Sequence, residues 1–370
     1  MKKLIGCLIV IISLSCQRSD KVKPEAEEPL YVYVNSSGGY TYALDANTGK
    51  TVWQFKGSSD LEEYMPPTLV GNTLYVTGRE KVYALDALTG TVTWESSTIY
   101  SGSTAPIVKD GVVYVGTMDR LLYALDIPSK SSKWTFEASY MLCAPTVVNN
   151  EVYFTDINGI FRCLDKNTGQ LKWETQDHHG TYRSNPVYYN NSILVGLNYT
   201  FVSLNAKTGE LIWRFQSDGE VLSSPVVYKD KVFFGGTYGY SVFALDIATR
   251  KRAWILTSPD KDQVFSSPYI KNDTLFIGFV SGRFYSLNAD NGKVHWEVYV
   301  KDMISYSSPV AAGDKVYLPT RNSLLCLNAK DGSENWSIRG GKGAGLSSPV
   351  ILLKNGKARH PAPSGQEDEK

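Results

Sequence analysis

From Leu30 onward the chain is written in short apolar runs separated by polar turns rich in Gly, Asn and Asp. One stretch serves as a sample. Ala105-Pro106-Ile107-Val108 leads to a turn at Asp110-Gly111, then to Val113 through Gly116 and, after a polar connection, to Leu121 through Leu125. A turn at Asp126 follows, and then a run around Trp134. Short β-branched and aromatic runs at intervals of roughly 8–12 residues, broken by Gly, Asn and Asp, predict antiparallel strands. Beyond the first sixteen residues no stretch carries helical periodicity.

The sample is one copy of a repeat. Tyr42-Ala43-Leu44-Asp45-Ala46-Asn47-Thr48-Gly49-Lys50-Thr51-Val52-Trp53 runs from apolar residues into an Asp-x-x-Thr-Gly turn, with a Trp four residues after the Gly. Variants of it surround Trp94, Trp134, Trp173, Trp213, Trp254, Trp296 and Trp336, at successive spacings of 41, 40, 39, 40, 41, 42 and 40 residues. The chain holds 8 Trp, so every one occupies this position. Four strands per unit of about 40 residues is the blade of a β-propeller. The expected fold is therefore all-β: an eight-bladed β-propeller of four-stranded antiparallel blades.

Lettering the strands A to D outward from the axis, strand A of each unit opens on a proline: Pro67, Pro106, Pro145, Pro186, Pro225, Pro268, Pro309 and Pro349. A strand's first residue can lack an N–H without breaking its ladder. Ser pairs precede the later copies (Ser223-Ser224, Ser266-Ser267, Ser307-Ser308, Ser347-Ser348) and suit either the crowded inner strand or a ring of ligand-binding hydroxyls. In the turns, Asp45, Asp86, Asp126, Asp165 and Asp246 alternate with Asn205, Asn288 and Asn328. That exchange suits a side chain capping its own turn and does not suit acid catalysis. Lys130 and Arg250 replace the turn Gly in the third and sixth units. A left-handed conformation costs such residues about 1 kcal/mol, so altered turns are expected there.

The ends of the pattern close the ring. Residues from Leu30 supply strands B, C and D of a first blade, and Ser348 through Leu353 supply a strand A with nothing after it. Pairing them completes the eighth blade within residues 30–353 and removes open sheet edges. Residues 354–370 are polar and are expected to form a tail.

Composition adds little to this until the N-terminus. Of 370 residues, 42% are hydrophobic and 20% charged, with a formal net charge of +1. No basic tract interleaved with aromatics is present, which argues against nucleic acid as a partner. Lys2 and Lys3 precede an apolar run from Leu4 to Leu14 that ends in Ser15-Cys16. The run is too short to span a bilayer and reads as an export signal over residues 1–16. Ser15-Cys16 resembles the lipobox of bacterial lipoproteins, with Ser13 where Leu is usual; an ordinary cleaved signal is the alternative. The lipoprotein reading makes Cys16 the lipidation site, residues 17–29 a flexible tether, and the outer membrane the location, facing periplasm or surface. Cys143, Cys163 and Cys326 stand at small-residue positions of the repeat and are expected to be buried thiols. His178-His179, His295 and His360 lack cysteine neighbours, so no zinc site is expected.

The unit Ala-Leu-Asp-x-x-Thr-Gly-x-x-x-Trp resembles the repeat of the pyrroloquinoline-quinone-type, tryptophan-docking propellers, from Leu30 to Leu353. The resemblance implies that Trp53, Trp94, Trp134, Trp173, Trp213, Trp254, Trp296 and Trp336 each pack between adjacent blades. Two kinds of protein share the repeat. Quinoprotein dehydrogenases hold the quinone and Ca²⁺ near the axis, typically with an adjacent Cys-Cys pair, acidic and Asn calcium ligands and an Asp base. This chain has no Cys-Cys and no Trp outside the repeats. Its loop acids (Asp60, Glu62, Glu63, Asp177, Asp218, Glu220, Asp260, Asp262, Asp302) are scattered over several blades, whereas calcium needs six to eight converging oxygens. No catalytic residue, cofactor or metal is therefore expected. The second kind are lipoprotein scaffolds of outer-membrane protein assembly, which match in signal, length and blade count. The resemblance then implies a non-catalytic, lipid-anchored envelope scaffold with protein partners, an outer-membrane assembly barrel among them, and a monomeric propeller. A glycan- or other ligand-binding envelope lipoprotein is the alternative, with a quinone-dependent dehydrogenase behind it.

In a propeller the D-to-A and B-to-C loops share one face. Tyr64, Tyr100, Tyr140, Tyr182, Phe265 and Tyr306 lie just ahead of the strand-A prolines, with Arg183 beside Tyr182. Arg79, Arg120, Tyr238, Arg283 and Arg321 fall on the B-to-C side. Tyr and Arg are enriched at binding hot spots, which makes this the candidate binding face. The same residues would also serve to plug a wide channel, and the sequence leaves both readings open.

Overall fold

The computed structural model describes residues 27–57, 65–97, 99–100, 102–139, 141, 143–176, 183–304, 306–339 and 345–361. Cys16, the signal and residues 17–26 of the expected tether lie outside them. Every regular element among the described residues is a strand, and the strands form eight antiparallel sheets. Blade 2 is typical: Thr68–Val70 (A), Thr73–Thr77 (B), Val82–Asp86 (C) and Val92–Glu95 (D), paired in that order. Blade 1 draws on both ends of the chain, because Pro29–Asn35 pairs with Val350–Leu353 through Val32↔Ile351 and Tyr33↔Val350. The eight-bladed ring is thus closed as the pattern predicted.

One device recurs in every blade. Strands C and D slip register just after the residue opposite the Trp: Ala43↔Trp53 is followed by Leu44↔Thr51, and Cys326↔Trp336 by Leu327↔Glu334. The partner across from Trp is always small (Ala, Ser or Cys), which leaves room for the indole. The ring leans onto the next blade's turn. Its N–H donates to the carbonyl just after that turn's Asp or Asn: Trp53 to Ala87 at 3.0 Å, Trp134 to Lys166 at 2.9 Å, Trp296 to Ala329 at 3.0 Å. Trp336 reaches Ala46 at 3.1 Å and so joins blade 8 to blade 1. Three of these carbonyls use their second lone pair on a buried tyrosine: Tyr33 on Ala87, Tyr153 on Ala206 and Tyr317 on Ala46.

The turn glycine serves both the turn and the docked ring. Gly90 has φ +74, and a Cβ there would lie 2.7 Å from the Trp53 ring. Gly49, Gly169, Gly209, Gly292 and Gly332 meet their tryptophans equally closely. The altered turns expected at Lys130 and Arg250 do not occur. Both residues adopt the left-handed conformation, at φ +59 and +61, and keep the glycine's backbone bond, to Asp126 at 3.0 Å and Asp246 at 2.8 Å. What changes is the surface offered to the incoming Trp. Ile127 and Ile247 follow the Asp there and pack against the clusters of Trp94 and Trp213.

The inner strands are stitched by the residue ahead of each proline. Ala144 N–H donates to the Asn185 side chain (2.9 Å), Asn185 to Ser224 (2.9 Å) and Ser224 to Ser267 (2.9 Å). Ser267 donates to Ser308 (3.0 Å) and Ser308 to Ser348 (2.8 Å). The Ser before it bonds within its own blade at Ser223 and Ser266, to Gly235 and Gly278, whereas Ser307 donates to Leu346 O in the loop entering blade 1 (2.7 Å). Apart from the half-buried Ser307 these hydroxyls are buried, and they are occupied by backbone, which answers the ligand-ring reading in favour of packing. Cys143 takes the same place, and Cys143, Cys163 and Cys326 are buried free thiols, each pushed up to about 12 by desolvation.

A correction concerns the residues expected to start a polar tail. Lys354 through Pro361 turn back into the sheet. Leu353 N–H donates to Lys357 O (2.8 Å) around Gly356 at φ +83, and Ala358–Arg359 forms a fifth strand inside Val350–Leu353. The physical reason was present in Asn355-Gly356, a strong hairpin signal, followed by Ala358, which is wholly buried. Glu27 and Glu28, assigned to the tether, likewise rest on the propeller.

Candidate functional site

The D-to-A and B-to-C loops interlock on one face. The carboxylate of Asp302, in the loop entering blade 8, accepts from Thr320 Oγ1 (2.6 Å) and from Asn322 backbone and side chain (2.8 and 2.9 Å). Burial alone would raise its pKa, but these bonds outweigh that and hold it below the ordinary value. Asp262 accepts from Ser281 N–H at 2.8 Å, and Asp260 pairs with Arg283. Between blades 3 and 4, the buried Asp156 accepts from Arg162 at 2.6 Å and from Ser139 N–H. Asp260, Asp262 and Asp302 are thus turn and loop fasteners, whereas the exposed Asp218 makes only a 3.9 Å ion pair with Arg252.

On this frame the candidate residues separate into groups. Tyr64, Tyr140 and Tyr182 lie outside the described residues. Arg283 is engaged by Asp260 (2.5 Å) and Glu297, so it is a strut between loop and strand rather than a free cation. Arg183, Tyr306 and Phe265 come together. The guanidinium sits 4.4 Å from the Tyr306 ring centroid, and that ring stacks on Phe265 at 4.8 Å and 24°. Each of the three stands three residues ahead of its strand-A proline, in blades 5, 8 and 7. Arg183 therefore reaches three blades along the ring, and the trio forms a stacked cluster on this face. Cation–π and aromatic contacts of this kind are worth on the order of 1 kcal/mol each.

Arg79, Tyr100, Arg120, Tyr238 and Arg321 point to solvent around this cluster, with Tyr100 65% and Tyr238 54% exposed. Tyr238 is held by a close backbone approach. A Cβ at Gly219, in the preceding loop, would lie 2.6 Å from Tyr238 N. Arg120, at φ +69, is fixed through Ala138 N–H to its carbonyl (2.7 Å). Three exposed apolar residues escaped the sequence reading: Tyr199, Tyr299 and Met303, at 42%, 62% and 40%. Tyr199 sits at the B-to-C tip of blade 5, and the rule that found Tyr238 in blade 6 would have found it too. Tyr299 ends a D strand, where nothing in the pattern marks exposure. The result is an aromatic, Met-containing surface over blades 5 to 8, on preformed loops, centred on that stacked cluster.

Comparison with known proteins bears on what such a face meets. The family model described as outer membrane protein assembly factor BamB matches residues 37–141, 80–197, 178–303 and 283–347. The outer membrane protein assembly factor BamB of Moranella endobia (strain PCIT) is 24% identical over 323 residues, covering 79% of this chain and 81% of its own length. The tetrathionate hydrolase of Acidithiobacillus ferrooxidans is 25% identical over 282 residues, covering 69% of this chain and 52% of that protein. Among solved structures, BamB from Moraxella catarrhalis superposes with a TM-score of 0.66 at 17% identity, over 79% of this chain and 94% of that one.

Proposed function

We infer the function from the premise that the chain belongs to the outer membrane protein assembly factor BamB family, whose model matches it from residue 37 to 347. The protein is a non-catalytic scaffold of outer-membrane protein assembly, anchored through a lipid on Cys16, with the loop face over blades 5 to 8 as its docking surface. The family match across the whole propeller carries this reading. Three physical features support it. The loop acids Asp260, Asp262 and Asp302 are committed to loop contacts, which leaves them poorly placed for acid–base work or for calcium. The exposed face is rich in Tyr, Arg and Met on loops held by backbone bonds, so little ordering entropy is lost on docking. Arg183, Tyr306 and Phe265 stack on one another at this face and tie the loops entering blades 5, 7 and 8 together, so the surface is preformed.

The test is affinity purification from membranes of cells expressing the tagged full-length protein. An outer-membrane assembly barrel should co-purify, and Tyr238→Ala should lower its recovery about tenfold or more, as loss of an aromatic anchor does. Cys16→Ser should move the protein to the soluble fraction. Recovery without any assembly component, or dye reduction when purified protein is supplied with quinone, Ca²⁺ and an alcohol, would contradict the scaffold reading.

A further inference from the structure

The stitching of inner strands runs from blade 4 around to Ser348 of blade 1 and stops there, because blade 2 carries Pro66 at the acceptor position, and blades 3 and 4 carry Ala105 and Ala144 in place of the Ser or Asn of blades 5 to 8 and 1. At this point the C-terminal segment takes over. Its strand, Ala358–Arg359, pairs with strand A of blade 1 through Leu352↔Ala358 and Ile351↔Arg359, and lies against strand A of blade 8. His360, buried, accepts the inward-facing N–H of Leu69, in strand A of blade 2, at 3.2 Å.

The other end of the described chain meets the same segment. Glu27 Oε1 accepts from Arg359 Nη2 at 2.6 Å. Its Oε2 lies 2.6 Å from Lys271 Nζ, in the A-to-B turn of blade 7, close enough for an ion pair although not aligned as a hydrogen bond. Lys271 also donates to Gly313 O in blade 8 (2.9 Å), and Glu27 crosses Gly313 so closely that a Cβ there would lie 2.7 Å from its carbonyl. Glu28 O accepts from Lys354 N–H at 2.8 Å, and the two side chains pair at 2.5 Å.

We propose that Glu27 and the segment Lys354–Pro361 form a latch that locks the propeller shut across blades 7, 8, 1 and 2, with His360 reaching blade 2 at the point where the inner hydrogen-bonded succession ends. The latch lies at the A-to-B turn face, opposite the Tyr238 and Tyr306 loops, and it clamps the start of the propeller's chain there. Any pull on the residues preceding Glu27 is then carried by blade 7 and the C-terminal strand before it reaches the closing strand pair. Burial raises the Glu27 pKa, but the Lys271 and Arg359 cations beside it outweigh that and hold it below the ordinary carboxylate value. Its contribution is therefore present above the unfolded-state pKa and is lost as pH falls through the lower folded-state value.

Hydrogen exchange on the full-length protein tests the latch, with His360→Ala, Arg359→Ala and a chain ending at Leu353 as variants. The Leu69 amide should exchange at least tenfold faster in His360→Ala and in the shortened chain. Val32 through Val34 should follow in the shortened chain, while Val195 in blade 5 stays at the wild-type rate. Glu27→Gln should lose the part of the wild-type melting temperature that declines in acid. Unchanged exchange at Leu69, or a rise of the same size in every blade, would overturn the proposal. Should the shortened chain not fold, the two point variants carry the test alone.

Discussion

At the residue scale, the glycine of the Asp-x-x-Thr-Gly turn has two separable duties. Gly90 and Gly111 have nearly the same φ, +74 and +75, but only Gly90 faces an indole; a Cβ at Gly111 would meet nothing within 4 Å. Gly111→Ala should cost only the left-handed penalty, about 1–2 kcal/mol. Gly90→Ala adds overpacking against Trp53 and should cost about 2–5 kcal/mol in all. Urea denaturation of the two variants measures the difference; equal losses would mean that the indole does not rest on that glycine. Lys130 and Arg250 show that the turn itself survives without Gly when Ile127 or Ile247 supplies an aliphatic surface for the incoming Trp. The sequence marked these positions as exceptions but not their remedy, because that remedy lies in the packing of a neighbouring blade.

At the element scale, blades cohere through the Trp contacts on the outer side and the pre-proline bonds on the inner side. Ser267→Ala removes the acceptor for Ser224 N–H while Ser267 keeps its own bond to Ser308. A buried donor left without a partner costs about 1–3 kcal/mol. The melting temperature should drop accordingly, and the Ser224 amide should lose protection; a silent substitution would count against the stitching. Strands, turns and the Trp position were legible in the sequence because each rests on local chemistry repeated eight times. The fifth strand of blade 1 was not, although Asn355-Gly356 announced a hairpin, because a two-residue strand has no periodicity to read. The inner stitching was half legible: the Ser pairs were visible, but their acceptor role spans about 40 residues and appears only once the blades are side by side.

At the scale of the whole molecule, ring closure was legible from the unmatched strands at either end, and the latch that reinforces it was not. The loop face was legible as a set of positions. Its internal order was hidden, since Arg183 and Tyr306 meet three blades apart and Arg283 finds its carboxylates across a loop. The sequence left open whether the Tyr and Arg residues form a plug or a surface; in the structure Arg183, Tyr306 and Phe265 stack together, while Tyr100, Arg120 and Tyr238 are exposed. We propose that this face, and not the opposite one, meets the assembly machinery. Site-specific photo-crosslinking in intact envelopes tests it most directly, with the reactive side chain placed at Tyr238 or Met303 on the loop face and at the exposed Leu88 on the C-to-D turn face. An adduct with an outer-membrane assembly component should form from Tyr238 and Met303 and not from Leu88. Adducts from Leu88 alone, or none from the loop face in cells where the machinery is present, would contradict it.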